Sequence, residues 1–341
     1  MSSGVKIQEH VSLKPYNTFG IDVKARYFAQ VSSIEELKWV LQQDKYPNKM
    51  ILGGGSNMLL TKDLDLLVIH IGLMGREIMK REDDFTEIKV MGGENWHDLV
   101  LWTLEKDLGG LENLSLIPGS VGSAPIQNIG AYGVELKDHF VSCEAMEIKT
   151  QKIHTFSLQD CRFGYRESYF KHEGKGKYAI TSVNFRLSTK DHKLRIGYGT
   201  IGEELSNAGI LQPSIQDISR AVISIRQRKL PDPAILGNSG SFFKNPVVSA
   251  RTYEQLKERY PEVPSYKVSE DQIKIPAAWM IDTCGFKGIR HGDAGVHQHQ
   301  ALVLVNYGNA SGEEILNLAR QIQQKVKRNF GISIEPEVNV L

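Results

Sequence analysis

The stretch GGLENLSLIPGSVGSAPIQNIGAYG, residues 109–133, is the most unusual part of this 341-residue chain. It contains six glycines and two prolines, yet Glu112 is its only ionised side chain. A flexible linker with so much glycine is normally polar, whereas this stretch also carries leucine, isoleucine and valine. We therefore expect a buried segment whose backbone lies close to another group, because glycine lacks a Cβ and tolerates positive φ.

Small polar side chains and bare amides in this stretch suit a polyphosphate or the edge of a heteroaromatic ring. The side chains concerned are Ser115, Ser120, Ser123, Gln127 and Asn128. A tightly turned loop that only connects two elements fits the same pattern, and the pattern alone does not choose between the two interpretations.

The elements around this glycine segment predict an α+β fold. A helix from about Asn95 to Leu108 precedes the segment and ends at Gly109. Strand-like runs follow it at 142–148, 154–156 and 178–187. Short strands with interspersed helices differ from a regular βαβ array.

The amino-terminal part begins with a strand at 25–31 and a helix capped by Ser32 or Ser33. GGGSN, residues 53–57, follows a further strand, but it is not GxGxxG, and turn and strand rather than helix are predicted after it. A Rossmann site is therefore excluded. A glycine turn whose backbone amides bind phosphate remains an alternative, although this motif alone is a weak signal for it.

The carboxyl-terminal part is predicted to contain a helix that opens at Ser214 and shorter helices near 249–260 and 277–284. A buried strand at 300–306 and a helix with a Ser311/Glu314 capping box, ending at Gly331, follow. The last residues, ISIEPEVNVL, alternate as a strand with Ile332, Ile334, Val338 and Val340 on one face.

Composition places the chain among globular proteins with two or three domains. Hydrophobic residues make up 41% and charged residues 24%, and the net charge of +1 offers no field for nucleic acid or an acidic membrane. The cationic runs RQRK (226–229) and KVKR (325–328) are interpreted as solvated helix faces. There is no signal peptide or membrane span, and the three scattered cysteines indicate a reducing cytoplasm.

Ser241, in the glycine turn GNSGS, is the first candidate for chemistry. The turn is not the GxSxG elbow of a hydrolase, so an acyl-transfer nucleophile is not indicated. A serine hydroxyl can instead protonate a strongly basic carbon such as an enolate. A hydrogen bond to its own turn is the commoner role of such a serine.

Three further groups have both a functional and an ordinary interpretation. Arg166 in FGYRES offers a forked cation for a carboxylate or phosphate, although a surface ion pair is common for a lone arginine. Glu335 and Glu337 share one face of the last strand, where a solvated polar face is the default. His297 and His299 share a strand face but lack further ligands at metal spacing, so no metal is predicted.

Together these stretches resemble the UDP-N-acetylenolpyruvoylglucosamine reductases over almost the whole chain. The matching stretches, in order, are NTFG (17–20), ILGGGSNMLL (51–60), LSLIPGSVGSAPIQNIGAYGVE (114–135), FGYRES (163–168), KLPDP (229–233), GNSGSFFKNP (237–246), HQHQALVLVN (297–306) and EPEV (335–338). Tyr198 in IGYG resembles the branch with a tyrosine-bearing flap over the substrate. Asn339 departs from the family, in which a basic residue is common.

The resemblance implies an FAD-binding domain of the vanillyl-alcohol-oxidase (PCMH) type, made of two α+β subdomains, and a third α+β domain for substrate. The expected boundaries are residues 1–72 with 331–341, then 73–213, then 214–330. The resemblance further implies a cytoplasmic monomer of peptidoglycan synthesis that binds neither nucleic acid nor membrane.

The same resemblance implies FAD and NADPH as cofactors and the enolpyruvyl ether of UDP-N-acetylglucosamine as substrate. The expected FAD contacts are Asn17, Thr18, Gly53, Gly54, Gly55, Ser56, Asn57, Pro118, Gly119, Ser120, Gly122, Ser123, Gln127, Asn128 and Gly130. The expected substrate contacts are Lys229, Asn245 and Gln300, with Tyr198 closing over the diphosphate.

The implied reaction reduces the enol ether to UDP-N-acetylmuramate in two half-reactions at one site. Arg166 and Glu337 are expected to stabilise the enolate, and Ser241 to protonate it. Glu337 is then expected to have a raised pKa. A binding module without catalysis and an oxygen-using FAD oxidase are the alternatives. The first would bind ligand without oxidising NADPH, and the second would form peroxide.

Overall fold

The computed structural model describes residues 4–341, which form two compact units. Unit 1 comprises residues 4–11, 25–54 and 65–227, and unit 2 comprises residues 12–24, 55–64 and 228–341. The chain thus leaves unit 1 and returns to it twice before its last third completes unit 2.

The regular elements are numbered along the chain. The strands are β1 Gln8–Ser12, β2 Lys24–Val31, β3 Lys49–Leu52, β4 Met58–Leu59, β5 Leu64–Ile71, β6 Arg76–Arg81, β7 Phe85–Met91, β8 Gly130–Ala131, β9 Val134–Glu135, β10 Phe140–Glu147, β11 Ile153–Ser157, β12 Tyr178–Ser188, β13 Gly237–Ser241, β14 Val247–Ser249, β15 Tyr266–Lys267, β16 Gln272–Lys274, β17 Arg290–His291, β18 Ala294–Val296, β19 Val303–Asn306 and β20 Asn339–Val340. The α-helices are α1 Ile34–Leu41, α2 Trp96–Glu105, α3 Leu158–Cys161, α4 Ile201–Asn207, α5 Ile215–Lys229, α6 Ala250–Arg259, α7 Ala277–Thr283 and α8 Gly312–Phe330. Short 3-10 helices occupy Lys14–Tyr16, Glu112–Leu114, Val121–Gln127, Leu136–Asp138 and Tyr169–Lys171.

Unit 1 is built on two sheets, which confirms the α+β prediction. The first has the order β1-β2-β5-β3 with β3 parallel to β5, and the second has the order β11-β10-β12-β7-β6 with antiparallel pairs. Helix α1 starts where the Ser33 hydroxyl accepts the Glu36 N–H, and α2 starts where Asn95 Oδ1 accepts two N–H groups. These caps satisfy amides that lack partners within the helix.

The glycine segment lies in a hydrophobic core of unit 1. Leu111, Leu114 and Val121 are fully buried there, together with Trp96 of α2 and Phe185 of β12. The Trp96 indole Nε1 donates to the Leu114 carbonyl at 3.0 Å, so the segment is hydrogen-bonded to α2 as well as packed against it. The prediction of a buried segment is confirmed.

Unit 2 contains the sheets β13-β19-β18-β17 and β14-β16-β15 and the parallel pair β4-β20. Helix α8 has the predicted bounds: Ser311 and Glu314 form a reciprocal capping box, and Gly331 ends the helix at φ 71°. Glycine suits that position because the left-handed conformation places no strain on it.

Two strand predictions in unit 2 were too long. The strand predicted at 300–306 begins only at Val303, because residues 300–302 turn before it. The strand predicted over the last ten residues is limited to β20, and Val340 is exposed rather than buried with Ile332, Ile334 and Val338. Pro336 within that stretch forms only an isolated bridge, with Phe243, since it has no N–H to donate.

None of the helices formed by residues 4–341 combines the length and the hydropathy that a membrane crossing requires.

Candidate active site

In unit 1 the GG of GGGSN lies directly against the glycine segment. A Cβ on Gly54 would lie 2.7 Å from Cα of Gly119, and a Cβ on Gly53 would lie 2.6 Å from Oγ of Ser120. Two stretches predicted to bind the same cofactor thus approach backbone to backbone. Only glycine permits this approach, and it leaves main-chain amides accessible to a ligand.

Gly122 fixes the other side of the segment to the second sheet. Its N–H donates to the Gly92 carbonyl at 2.8 Å, and a Cβ there would lie 2.9 Å from the carbonyl oxygens of both Gly92 and Ile180. Ser120 and Ser123 cap the short helix that starts here, since Ser123 Oγ donates to the Ser120 carbonyl at 2.7 Å. The turn is therefore held by the hydrogen bond from Gly122 to the second sheet and by the bond between its two serines.

Asn128 ends this turn in the left-handed region, at φ 47°. Its buried side chain donates to the Gly164 carbonyl at 3.0 Å and to Glu135 at 3.1 Å, and it accepts the Lys137 N–H. The side chain of this predicted FAD residue thus joins the glycine segment to the FGYRES turn.

Arg166 is at the tip of that turn with φ 58°, a conformation that costs a residue with a Cβ about 1–2 kcal/mol. Its Nη2 donates to the Gly130 carbonyl at 2.6 Å, and a Cβ on Gly130 would lie 3.0 Å from its Nη1. The structure therefore brings a predicted catalytic cation and a predicted cofactor residue into direct contact. Backbone strain of this kind persists only where the surrounding contacts hold the residue in that conformation.

His97 supports the start of the segment from helix α2. Its Nδ1 accepts the Leu116 N–H at 3.0 Å, so this nitrogen carries no proton. Burial lowers the pKa of His97, with a smaller opposing effect of Asp98 and a lowering effect of Arg226. The imidazole thus acts as a neutral acceptor at physiological pH.

In unit 2 the residues predicted to contact FAD gather around Gly55. The Thr18 N–H donates to the Gly55 carbonyl at 3.2 Å, and Gly55, at φ 61°, would place a Cβ 1.9 Å from the Tyr16 carbonyl oxygen. The Thr18 hydroxyl is buried and has no hydrogen-bond partner within the described part of the chain. Asn17 differs, because its amide already bonds the carbonyls of Leu13 and Ile21 and the Ile21 N–H.

Asn57 links this turn to the carboxyl-terminal stretch of unit 2. Its Nδ2 donates to the Glu337 carbonyl at 3.4 Å, while its own carbonyl accepts both the N–H and the side-chain amide of Asn339. Asn339, the departure from the family pattern, therefore has a local structural role.

Ser241 is the last residue of β13 and is exposed. The pairing of β13 with β19 shifts between Asn238 and Ser241, and Gly240 at that irregularity has φ 67°. Irregular pairing re-aims a side chain relative to the regular alternation of a strand. The Ser241 hydroxyl thus sits on a turn that the flanking Asn238 Oδ1 braces through the Gly240 N–H.

The two candidate carboxylates differ in their surroundings. The Glu337 N–H donates to the Phe242 carbonyl at 2.8 Å, next in sequence to Ser241, and Glu337 is partly buried. Glu335 is exposed, and its carbonyl accepts the Lys244 N–H. Of the two, Glu337 is therefore the one that is partly withdrawn from solvent beside the serine turn.

The predicted substrate residues lie in both units. Lys229 is exposed at the end of α5, Gln300 is partly buried before β19, and Asn245 Oδ1 accepts the Ala277 N–H at 2.9 Å, all in unit 2. Tyr198 belongs to unit 1; it is 55% exposed and packs its Cβ against Gly133. Tyr198 thus lies beside the glycine segment with most of its ring accessible.

The interpretation of RQRK as a solvated face is wrong for Arg226. Gln227, Arg228 and Lys229 are exposed, whereas Arg226 is partly buried with its Nε sealed from solvent. Arg226 directly follows Ile225, at the edge of the buried face of α5, and this position is the sequence signal that could have predicted its burial. Arg226 also interacts with Tyr132, a contact that no helical periodicity reveals.

The predicted face of His297 and His299 is not on a strand. Both follow the end of β18, and their rings meet edge to face at 5.6 Å. Within residues 4–341 no group of three or more histidine, cysteine, aspartate or glutamate side chains is arranged to hold a metal ion.

Two family profiles match the chain. The profile described as "FAD binding domain" matches residues 25–157, and the profile described as "UDP-N-acetylenolpyruvoylglucosamine reductase, C-terminal domain" matches residues 232–341. The first contains GGGSN and the glycine segment, and the second contains Ser241 and Glu337.

Curated proteins named UDP-N-acetylenolpyruvoylglucosamine reductase are similar over nearly the full length. The protein of Flavobacterium johnsoniae is 57% identical over 99% of this chain and 100% of its own, and that of Chromobacterium violaceum is 48% identical over 99% of each. The crystal structure of the Thermus caldophilus enzyme of this name superposes with a TM-score of 0.70 at 24% identity, covering 98% of this chain and 99% of that one. That likeness supports the fold.

Proposed function

The chain belongs to the UDP-N-acetylenolpyruvoylglucosamine reductase family, and from that premise we propose the roles of its individual residues. It is an FAD-dependent oxidoreductase that uses NADPH to reduce the enolpyruvyl ether of UDP-N-acetylglucosamine to UDP-N-acetylmuramate for peptidoglycan synthesis. The predicted cofactors and fold class are confirmed.

The residues predicted to hold FAD fit such a group. Bound FAD supplies the hydride relay between NADPH and the substrate. In unit 1, the close approach of Gly54 to Gly119 leaves backbone where a side chain would otherwise obstruct a ligand. In unit 2, the orphaned Thr18 hydroxyl offers a buried donor to a cofactor oxygen or nitrogen. The FAD contacts we propose are Asn17, Thr18, Gly53, Gly54, Gly55, Ser56, Asn57, Pro118, Gly119, Ser120, Gly122, Ser123, Gln127, Asn128 and Gly130.

Three residues carry the proposed chemistry on the substrate. Hydride added to the methylene carbon leaves negative charge on the neighbouring carbon and its carboxylate. Arg166, held at Gly130, stabilises that charge as a preorganised cation, and Glu337 assists as the protonated acid or through another donor. The Ser241 hydroxyl then gives its proton to the carbon and completes the saturated ether.

Lys229, Asn245 and Gln300 are proposed to bind the UDP-sugar, and Tyr198 to close over its diphosphate. The support for Tyr198 is its exposed ring beside the glycine segment. We propose on this basis that the chain belongs to the branch with a tyrosine-bearing flap.

The proposed domain boundaries are 1–72 with 331–341, 73–213 and 214–330. The pairing of β20 with β4 supports a return of the last strand to the amino-terminal part of the chain. We further propose a cytoplasmic monomer without nucleic-acid or membrane partners.

The main support for this assignment is the close contact between the backbones of Gly54 and Gly119. Both glycines lie within residues 25–157, which the FAD-binding profile matches. The visible absorption spectrum of the purified protein tests it. We expect a flavin spectrum that bleaches with NADPH and recovers when the UDP-sugar enol ether is added without oxygen. Bleaching without recovery would contradict the substrate assignment, and bound ligand without any NADPH oxidation would indicate a binding module.

A further inference from the structure

Arg226, on α5 of unit 1, has no anionic partner among residues 4–341. Its Nε is sealed from solvent and has no hydrogen-bond acceptor. The Tyr132 hydroxyl hydrogen-bonds to the guanidinium, and the imidazole of His97 is also close enough to interact with it. Burial lowers the pKa of Arg226, while Tyr132 raises it to a smaller extent. A desolvated guanidinium held only by neutral groups is costly unless an anion completes it.

Tyr132 interacts both with this cation and with Tyr198, the predicted flap residue. Tyr132 has φ 50° and its neighbour Gly133 has φ 80°, so the chain turns sharply here. The Tyr198 Cβ would lie 3.3 Å from a Cβ on Gly133. Burial raises the pKa of Tyr132, so its hydroxyl remains neutral and does not neutralise Arg226.

Asn113 fixes the same turn to the loop that carries Tyr198. Its fully buried Nδ2 donates to the Tyr132 carbonyl at 3.0 Å and to the Arg195 carbonyl at 2.8 Å. The base of the loop and the turn beside Arg226 are therefore held by one amide. Tyr198, three residues after Arg195, is exposed and extends from that anchored base.

We propose that Arg226 is a substrate-recognition residue that binds an anionic oxygen of the UDP-sugar in the space that Tyr198 covers. This inference rests on the proposed function. The substrate offers such oxygens on its diphosphate and on its enolpyruvyl carboxylate, and the forked guanidinium suits both. Tyr132 and Asn113 act as positioning residues, since they hold the cation and the loop rather than the substrate.

The test compares Arg226→Gln and Arg226→Lys with Arg220→Gln, which alters an exposed arginine of the same helix that pairs with Asp217. Flavin content and thermal unfolding report folding, and titrations with UDP and with uridine report binding. We expect Arg226→Gln to weaken UDP or substrate binding about 10–100-fold, with a smaller loss for Lys and none for the control. Uridine, which has no phosphate, should bind equally to all variants.

The two anions give different results. If Arg226→Gln lowers the affinity for UDP and for the full substrate equally, Arg226 binds the diphosphate. If it raises the KM for the substrate but leaves the affinity for UDP unchanged, Arg226 binds the carboxylate. Unchanged affinity for both ligands, or equal weakening of uridine, would overturn the inference. A wild-type protein that binds neither UDP nor the substrate would instead refute the proposed function. The lysine variant keeps the test valid if the glutamine variant fails to fold.

Discussion

The glycine segment of unit 1 (109–133) and the serine turn of unit 2 (237–246) use glycine for different physical reasons. At Gly122 the constraint is space, because a Cβ would lie 2.9 Å from two carbonyl oxygens. At Gly240 the constraint is conformation, because φ is 67° and nothing lies within 4 Å of a Cβ there. The first constraint lets two stretches of backbone approach closely, and the second turns the chain so that the adjacent Ser241 is exposed. Similar glycine content thus reflects close packing of backbones in one place and a required backbone conformation in the other.

We expect the largest effect from Ser241→Ala, because the serine turn is proposed to supply the proton donor of the reaction and not to bind the cofactor. We expect reoxidation of the reduced flavin by the UDP-sugar to slow about 10²–10⁴-fold, since the proton donor is lost. Flavin content and reduction by NADPH should be unchanged. Anaerobic stopped-flow absorbance separates the two half-reactions.

Ser239→Ala is the matched control in the same turn, because Ser239 is buried and its hydroxyl donates to the Met58 carbonyl. It should leave the reoxidation step near the wild-type rate. Ser241→Ala with an unaltered reoxidation rate would remove the proposed proton donor.

Gly122→Ala tests the space constraint in the glycine segment. Its Cβ would meet backbone oxygens that cannot move as a side chain can, so we expect loss of about 1–3 kcal/mol of stability and a lower flavin content. Gly202→Ala, in α4, is the control, because the nearest atom to its Cβ is 3.8 Å away and alanine favours a helix. Unfolding by denaturant and the flavin-to-protein absorbance ratio measure both effects. A full complement of flavin in Gly122→Ala would contradict the close-packing argument.

What the sequence could predict depended on how local each determinant is. Helix α8 was located correctly at both ends because Ser311, Glu314 and Gly331 act within one turn of those ends. The choice between Glu335 and Glu337 could not be made from alternation, since both share one face. In the structure Pro336 forms a bridge with Phe243, a residue far away in sequence, and Glu335 is exposed while Glu337 is partly buried.

The same reasoning explains why Arg226 was missed. Helical periodicity assigns a face from neighbours on one helix, and it placed residues 226–229 in solvent. Arg226 interacts with Tyr132, in the glycine segment, and this contact depends on tertiary packing. Sequence motifs lead to predictions for the cofactor residues, whereas no sequence pattern predicts a single buried cation.

His97→Asn tests a pH-sensitive support that the glycine segment has through Leu116. The pKa of His97 is lowered by burial, so its stabilising effect is present above about pH 6.5, the value for an unfolded chain, and is lost as pH falls from there through the folded pKa. We expect wild-type stability to fall by roughly 1–2 kcal/mol between pH 7 and 5 from this site, since a protonated Nδ1 no longer accepts the Leu116 N–H.

Asparagine can present its Oδ1 as the acceptor without titrating, so His97→Asn should flatten this pH dependence of unfolding. The slope should not vanish, because burial also lowers the pKa of His70 and His139. His291→Asn, at an exposed position of β17, serves as the control. An equal slope in wild type and His97→Asn would argue against this support.

The smallest effect is expected for Gly240→Ala, which separates conformation from space in the serine turn. Alanine has room there but must adopt φ 67°, so we expect a loss of only about 1 kcal/mol in the free energy of unfolding, with flavin retained. Gly240→Asn should cost less, because asparagine tolerates the left-handed region better than alanine. Both follow from denaturant unfolding with flavin absorbance as a second readout. If Gly240→Ala lost as much stability and flavin as Gly122→Ala, the two turns would share one constraint. The distinction between a constraint of space at Gly122 and one of backbone conformation at Gly240 would then fail.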